Sequence, residues 1–251
     1  MRLLLSELLK IRTAPRTLIG LVLAELVIVA IGTASTISSA TSAPEGLPGV
    51  TVSGPLPPHL ERDLISLVGS ALLFALVLGI LVVTWEYRHG TITQTFLASP
   101  LRERVLGAKL VVAALAGALL VIPALLLMFT IAEIWVGGRE GFHFGGGDFR
   151  LVARLFLAAA FVGILGAEIG AGTGRQLGAL VGTFVWIAFA EPALSIWHGV
   201  RDYLPLHGGL MGVFGTDSEA PSFERGLLVT GAYVLALGAI GLAAMQRRDI
   251  T

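Results

Sequence analysis

Six long apolar stretches constrain this chain more than any other feature of its sequence. Each contains about 20 mainly hydrophobic residues, the length that an α-helix needs to cross roughly 30 Å of hydrocarbon. The stretches run over residues 17–38, 64–84, 106–134, 151–172, 176–197 and 226–245. No segment alternates apolar and polar residues as the strands of a membrane barrel do. The pattern therefore predicts an all-α membrane protein with six transmembrane helices.

The composition agrees with this fold class. Of the 251 residues, 55% are hydrophobic and 14% are charged, and the mean hydropathy is +0.86. Such a chain carries too little polar surface to cover a water-soluble globule. The sequence has no cysteine, which excludes disulfides, thiolate metal sites and a cysteine nucleophile. We therefore expect a single multi-pass transmembrane domain over residues 1–251.

The distribution of lysine and arginine predicts the orientation of the helices. Eleven of the seventeen basic residues fall in or next to the termini, the connector after the second stretch and the turn after the fourth. They are Arg2, Lys10, Arg12, Arg16, Arg88, Arg102, Arg104, Lys109, Arg175, Arg247 and Arg248. The opposite side has six basic residues and most of the acidic ones. We expect both termini, the connector and the turn to face the cytoplasm.

The N-terminal segment before the first stretch has an amphipathic pattern. One helical face carries Leu4, Leu5, Leu8 and Ile11, and the other carries Arg2, Ser6, Glu7, Lys10 and Thr13. Ala14-Pro15 ends the helix, because the residue before a proline disfavours helical geometry. We expect a helix on the cytoplasmic leaflet with Glu7, Lys10 and Arg12 as interfacial residues. A frayed polar terminus is the alternative, and a cleaved signal peptide is less favoured.

Three carboxylates fall inside the predicted spans, where ionisable side chains are costly and often functional. Glu133 and Glu168 lie near the ends of their spans, so we expect them to reach an interface. Glu25 lies deeper in the first span. We expect this carboxylate to face other helices or a wet cavity, and coupling to protons or to a substrate is the alternative.

Glycine recurs at every fourth residue through the fourth and fifth stretches, at Gly166, Gly170, Gly174, Gly178 and Gly182. Small residues at this spacing let helix backbones approach closely within lipid. We expect tight packing between the fourth and fifth helices, and a hinge from Gly170 to Gly174 is the alternative.

The segment over residues 191–225 is long for a loop on the outer side. Trp197, Tyr203, Leu204 and Phe214 alternate there with prolines, glycines and charges. Half-buried aromatic segments of this kind lie at the membrane interface. We expect short extracellular helices that partly re-enter the membrane.

No motif for catalysis or nucleotide binding occurs in the sequence. Without a GxxxxGK[ST] loop the chain cannot cradle nucleotide phosphates, and it has neither HExxH nor GxSxG. His198 and His207 flank Asp202, but loop histidines near an interface are more often solvated than bound to metal. We predict no catalytic residue, no cofactor and no metal site in this chain.

The connector after the second stretch, WEYRHGTITQTFLASPLRERVLGAKL, is polar but has no run of glycines or serines. Gly90 permits a turn, and Thr91 can cap a short helix from about Ile92 to Ala98. Ser99-Pro100 ends this helix. The sequence therefore predicts a short, structured helix between the second and third spans.

Three segments, in order, resemble the ABC-2 family of ABC-transporter permeases: SELLKIRTAPRT, the connector, and EPAL with DYLPL after the fifth span. The most specific run consists of Glu86, Tyr87, Arg88, Gly90, Thr91, Ile92, Pro100, Arg102 and Lys109. The resemblance implies an N-terminal interfacial helix, a coupling helix between helices two and three, and extracellular helices before helix six. It also implies two permeases, as a homodimer or a related heterodimer, and two ATP-binding subunits in the cell inner membrane, working as an exporter.

The resemblance also implies roles for individual residues. The connector would dock in a cleft of the ATP-binding subunit, where ATP and Mg bind, and Arg102 or Arg104 would pair with acidic residues of that subunit. The implied coupling residues are Glu86, Tyr87, Arg88, Gly90, Thr91, Pro100, Arg102, Glu103 and Arg104. The implied translocation pathway includes Phe74, Leu78, Phe184 and Phe189. We expect no enzymatic activity of this chain alone and no nucleic-acid partner. The alternatives to a permease subunit are a secondary transporter or a membrane assembly protein without an ATPase.

Overall fold

The computed structural model describes residues 2–12, 15–41, 56–139, 141–215 and 220–248. Every regular element in these ranges is helical. The α-helices are α1 (Arg2–Arg12), α2 (Pro15–Thr41), α3 (Leu60–Val68), α4 (Ala71–Arg88), α5 (Ile92–Ala98), α6 (Arg102–Val136), α7 (Gly146–Thr173), α8 (Gln176–Val185), α9 (Glu191–Ser195), α10 (His198–Arg201), α11 (Met211–Phe214) and α12 (Phe223–Arg247). Two π-helical turns, Trp186–Ala190 and Pro205–Leu210, lie between α8 and α9 and between α10 and α11.

Six helical segments in the described ranges are long and apolar enough to span a membrane. They are α2, α3 with α4, α6, α7, α8 through α9, and α12. This confirms the predicted number of spans and makes the chain a multi-pass membrane protein. The ends differ from the prediction: the second span begins at Leu60 because α3 continues into α4 through a tight turn at Gly69.

The helix α7 packs closely against both α4 and α6. A Cβ added to Gly79 of α4 would collide with the carbonyl oxygen of Gly163, and one added to Gly163 would collide with that of Ala113 on α6. A Cβ on Gly117 would lie 2.6 Å from the carbonyl oxygen of Ala159. Small residues therefore bring these three backbones together, which suits a lipid solvent where close packing holds helices together.

The glycine series does not pack the fourth span against the fifth, so this prediction is wrong. A Cβ on Gly166 would collide with the backbone of α4, and one on Gly170 would lie 3.0 Å from the carbonyl oxygen of Ile80. Gly178 and Gly182 contact no neighbouring helix within 4 Å. A spacing of four keeps residues on one face only within one helix, and Gly174, which caps α7 with a φ of 61°, ends that face.

Contacts between distant segments collect α1, α5, the start of α6 and the end of α12 at one end of the bundle, here called the inner end. Arg248 donates a hydrogen bond of 2.9 Å to the carbonyl oxygen of Ala171, which joins the end of α12 to the end of α7. Arg102 donates to the carbonyl of Met245. The grouping agrees with the predicted topology, whereas the cytoplasmic location of the inner end stays a prediction.

The opposite, outer end is organised around the buried carboxylate of Glu191. This group accepts hydrogen bonds from the Trp186 indole at 2.9 Å and from the backbone N–H groups of Leu206 at 2.6 Å and His207 at 3.0 Å. It thereby fixes the second π-helical turn against the end of the fifth span. The predicted short helices after this span are present as α10 and α11, and their entry into the membrane stays a prediction.

Candidate functional site

Four charged side chains from three helices form a cluster at the inner end, and all of them except Lys10 are buried. Lys109 of α6, which is fully buried, lies 2.7 Å from a carboxylate oxygen of Glu7 on α1 and 2.9 Å from one of Glu86 on α4. Lys10 of α1 pairs with the same two carboxylates. We call these four residues the charge cluster. It holds α1 against the inner ends of α4 and α6.

The short helix α5 is joined to the charge cluster through Thr95. The Thr95 hydroxyl donates to Glu86 at 3.1 Å and accepts a hydrogen bond from the Lys10 ammonium at 3.2 Å. On the same side of α5, Ile92 and Phe96 are buried in an apolar cluster that includes residues of α4 and α6. The helix is therefore held by one polar and two apolar side chains, and its position depends on the position of α1, α4 and α6.

Charge balance explains how the cluster can be buried. Two carboxylates and two ammonium groups sum to zero, and each carboxylate contacts both cations. Partial burial by itself lowers the pKa of Lys10, but its hydrogen bonds to Glu7 and Glu86 and their negative charges outweigh that effect, so this pKa is raised. Removing one partner of such a buried pair costs about 3–5 kcal/mol, because the other charge is left uncompensated.

The opposite side of α5 and the segment that follows it are exposed at the inner end. The Leu97 side chain is 82% exposed, and Leu101 and Pro100 extend the exposed apolar surface toward α6. Glu103 and Arg104 in the first turn of α6 are exposed as well. Leu97, Pro100 and Leu101 thus form a contiguous apolar patch flanked by charges, the kind of surface that a partner protein or the membrane interface covers.

Two predicted coupling residues make polar contacts within the chain. Glu86 is only 5% exposed and is occupied by the charge cluster. The Arg102 guanidinium donates to backbone carbonyls at the end of α12, including those of Gln246 and Arg248 at 3.1 Å. Those carbonyls have no partner within their own helix, and a nearby guanidinium satisfies them. Arg102 therefore also joins α6 to the end of α12, and the pairing of Arg102 or Arg104 with acidic residues of a partner stays a prediction.

The other predicted connector residues have local structural roles. Tyr87 lies beneath the Arg248 guanidinium, 5.4 Å from its ring centre. Arg88 is exposed and donates a 3.2 Å hydrogen bond to the Gln176 side chain at the start of α8. These contacts join the inner end of α4 to α12 and α8, so they stabilise the frame that carries α5.

The turn into α5 confirms one prediction and corrects another. Gly90 has a φ of 67°, the left-handed conformation that glycine adopts at low cost. The helix runs from Ile92 to Ala98 and ends before Pro100, as predicted. Thr91 precedes the helix, but its side chain makes no capping hydrogen bond. Its backbone is helical (φ −84°, ψ −7°), whereas capping side chains usually come from an extended backbone.

The polar side of α1 also differs from the prediction. Glu7 was expected to face water, yet only 2% of it is exposed because Lys109 reaches it from α6. Lys10 is partly exposed and belongs to the same cluster. Leu8 on the predicted apolar face is exposed on the protein surface, as a side chain that contacts lipid would be, and the location of α1 on the leaflet stays a prediction. The side chain of Arg12 lies outside the described residues. The helix α1 is thus attached to the protein by ion pairs on its polar side.

Two carboxylates inside the spans are buried without a partner among the described residues. Neither oxygen of Glu25 in α2 or of Glu168 in α7 has a hydrogen-bond partner there, and both residues are at most 1% exposed. The interior position of Glu25 agrees with the prediction. Glu168 was expected to reach an interface, but it points at Gly238 of α12 instead. Glu133 is exposed, as a residue near the end of a span can be.

The four predicted pathway residues do not line one cavity. An apolar cavity of about 620 Å³ at the outer end lies between α4, α7, α8 and α12. Its walls use Leu72 and Leu76 of α4 and Trp186 after α8, whereas Phe184 and Phe189 are exposed on the outside of the bundle. Phe74 packs in the main core, and Leu78 lines a separate cavity at the inner end. Their role in a translocation pathway stays a prediction.

Sequence reasoning missed the roles of Thr95, Lys109 and Glu191. Lys109 stands alone among apolar residues about 10 Å into α6, at 1.5 Å per residue from Arg102, and a lone buried cation requires an anion. That signal was available in the sequence, although it does not identify Glu7 and Glu86 as the anions. Thr95 and Glu191 gave no comparable signal, since hydroxyls and carboxylates are common in connecting segments.

No group of three or more His, Asp or Glu residues in the described part of the chain could hold a metal ion. His207 lies 3.4 Å from the Glu191 carboxylate, so its ring contributes to the outer-end anchor. No protein-family model matches the sequence, and no curated protein matches it. The likeness to ABC-2 permeases therefore depends on the residues quoted above.

Proposed function

We propose that this chain is the membrane-spanning permease subunit of an ATP-driven ABC transporter, an exporter of the cell inner membrane. The observation that carries the proposal is α5, a short helix between the second and third spans that exposes Leu97 at the inner end. Its opposite side is joined to three other helices by Thr95 and the charge cluster. This combination of an exposed contact surface and firm internal attachment suits a helix that transmits force.

A push on α5 would reach the membrane helices by two routes. Through Ile92 and Phe96 it presses on the apolar inner ends of α4 and α6. Through Thr95 it pulls on Glu86, which is held by Lys109 and Lys10. Because an ion cluster in which every charge is paired resists separation, α1, α4 and α6 would move together with α5, and α5 would not shift relative to them.

The proposed partner is a separate ATP-binding subunit that covers Leu97, Leu101 and the exposed charges of Glu103 and Arg104. ATP and Mg would bind to that subunit, because this chain lacks a phosphate loop. Two copies of it would work with two permeases. The exposed apolar side chains of the fifth span, among them Phe184 and Phe189, would face lipid or the second permease.

A secondary transporter is the second candidate, and the unpartnered carboxylates favour it. Glu25 and Glu168 are buried within spans and have no partner among the described residues. Intramembrane carboxylates of this kind carry protons in many transporters. Under this alternative, transport would follow a proton gradient and would need no ATP-binding subunit.

Reconstitution distinguishes the two candidates. The chain is purified alone and together with any ATP-binding-cassette protein found to be encoded beside its gene, and ATP hydrolysis is measured in proteoliposomes. We expect no hydrolysis by the chain alone, and hydrolysis by the complex that depends on α5. If no ATP-binding subunit associates and a proton gradient drives transport, the proposal is wrong.

A matched pair of variants tests the docking surface. Leu97→Asp places a charge on the exposed side of α5, so we expect normal melting of the chain and at least tenfold weaker association with the ATP-binding subunit. Leu177→Asp is the control, because Leu177 is 74% exposed in the first turn of α8, where a helix tolerates an acidic residue. Equal association of both variants with the subunit would contradict docking through α5.

A further inference from the structure

A second cavity of about 620 Å³ lies at the inner end between α1, the start of α2, α4 and α5. This volume falls within the roughly 300–1,000 Å³ of pockets that hold small molecules. Its lining is divided by chemistry. The part near α1 and α5 is polar, with Lys10, Thr91 and Gln94, whereas the part along α4 is apolar, with Leu78 and Val82.

The cavity is as long as one leaflet of a membrane is thick. Its wall follows α4 from Leu78 to His89, a distance of about 16 Å at 1.5 Å per residue. Half of the hydrocarbon core of a bilayer measures about 15 Å. With the polar end at the inner interface, the apolar end therefore reaches toward the middle of the membrane, and the cavity has the length and polarity of a molecule with one polar and one apolar end.

We propose that this cavity binds one phospholipid of the inner leaflet. An acyl chain would lie along Leu78, Leu81 and Val82, in contact with apolar side chains over the depth of the leaflet. The phosphate would lie at the polar end, where the Thr91 hydroxyl and the Gln94 amide can donate hydrogen bonds. Lys10, which is 41% exposed at its side chain, lines this end together with its two ion-pair partners, Glu7 and Glu86. The end therefore presents groups of both charges, as a zwitterionic head group does.

A phospholipid fits better than a soluble ligand because of the surroundings of the site. The cavity begins where α1 meets the start of α2 and continues beside a spanning helix, so it lies within the reach of membrane lipids rather than in a water-filled groove. An apolar cavity left empty loses the contacts of its lining, and lipid is the solvent at that depth. The inference does not depend on the proposed transport function.

Two substitutions to tryptophan test the site by size. Val82→Trp fills the apolar part of the cavity, and Leu119→Trp adds the same side chain at an exposed position of α6 outside it. The full chain is extracted from membranes and analysed by native mass spectrometry, without nucleotide or partner. We expect the wild type and Leu119→Trp to retain one phospholipid, and Val82→Trp to retain at least tenfold less.

A labelling experiment keeps the inference testable if Val82→Trp does not fold. Phosphatidylcholine with a diazirine in its acyl chain is incorporated with the wild-type chain in proteoliposomes, and labelled peptides are identified after irradiation. We expect the label on residues 78–82 in addition to general labelling of lipid-facing surfaces. A wild-type chain that retains no phospholipid, equal retention by both variants, or labelling that avoids residues 78–82 would overturn the inference.

Discussion

The charge cluster makes a quantitative prediction for the single substitution Lys109→Met. Lys109 contacts Glu7 at 2.7 Å and Glu86 at 2.9 Å and is fully buried. Its removal leaves two carboxylates to share Lys10 alone, with an excess of one buried negative charge. Methionine keeps most of the side-chain volume, so a cavity contributes little.

The size of the effect follows from the remaining contacts. Removing one partner of a buried ion pair typically costs about 3–5 kcal/mol. Since Lys10 still contacts both carboxylates and Thr95 still donates to Glu86, we expect the lower end, about 3 kcal/mol. For a chain of this size each kcal/mol shifts the melting temperature by about 2–4 °C, so the expected decrease is about 6–12 °C.

The assay is thermal unfolding of the purified chain in detergent, followed by tryptophan fluorescence. Arg104→Met is the control, because it removes an exposed cation from the same helix and should change stability by less than about 0.5 kcal/mol. The double variant Lys109→Met with Glu7→Gln restores the charge balance and should recover part of the loss. Wild-type melting of Lys109→Met, or purely additive effects in the double variant, would refute the cluster as a buried ion network.

Two further results are expected. Because the pKa of Lys10 is raised, the contribution of Lys10 to stability is complete below the ordinary lysine value of 10.5 and is lost as the pH rises through the raised value. The difference in melting temperature between wild type and Lys10→Met should therefore shrink over that range. A difference that does not change with pH would contradict the ion pairing. Gly166→Leu should lower the melting temperature by about 2–12 °C, because the leucine side chain overpacks against α4. Gly182 has no neighbour within 4 Å, so Gly182→Leu should melt like wild type. Equal melting temperatures of the two variants would show that Gly166 does not pack closely.

The positions of the membrane-spanning helices follow from local features of the sequence. Spans are local: about 20 apolar residues in a row need a helix in lipid because backbone groups there must pair within the segment. The limits of α5 were local too, since Gly90 permits the preceding turn and Pro100 excludes continuation. These features do not depend on which other part of the chain lies nearby.

The face of each helix that meets a given neighbour depends on contacts between distant parts of the chain. A leucine facing lipid and a leucine facing another helix are equally apolar, so hydrophobicity cannot distinguish inside from outside in a membrane. For this reason the apolar pattern alone does not show that Phe184 is exposed in this chain, or that Gly166 contacts α4 rather than α8. Glu7 and Lys109 are 102 positions apart, and their pairing follows from the crossing of α1 and α6, which no local pattern encodes.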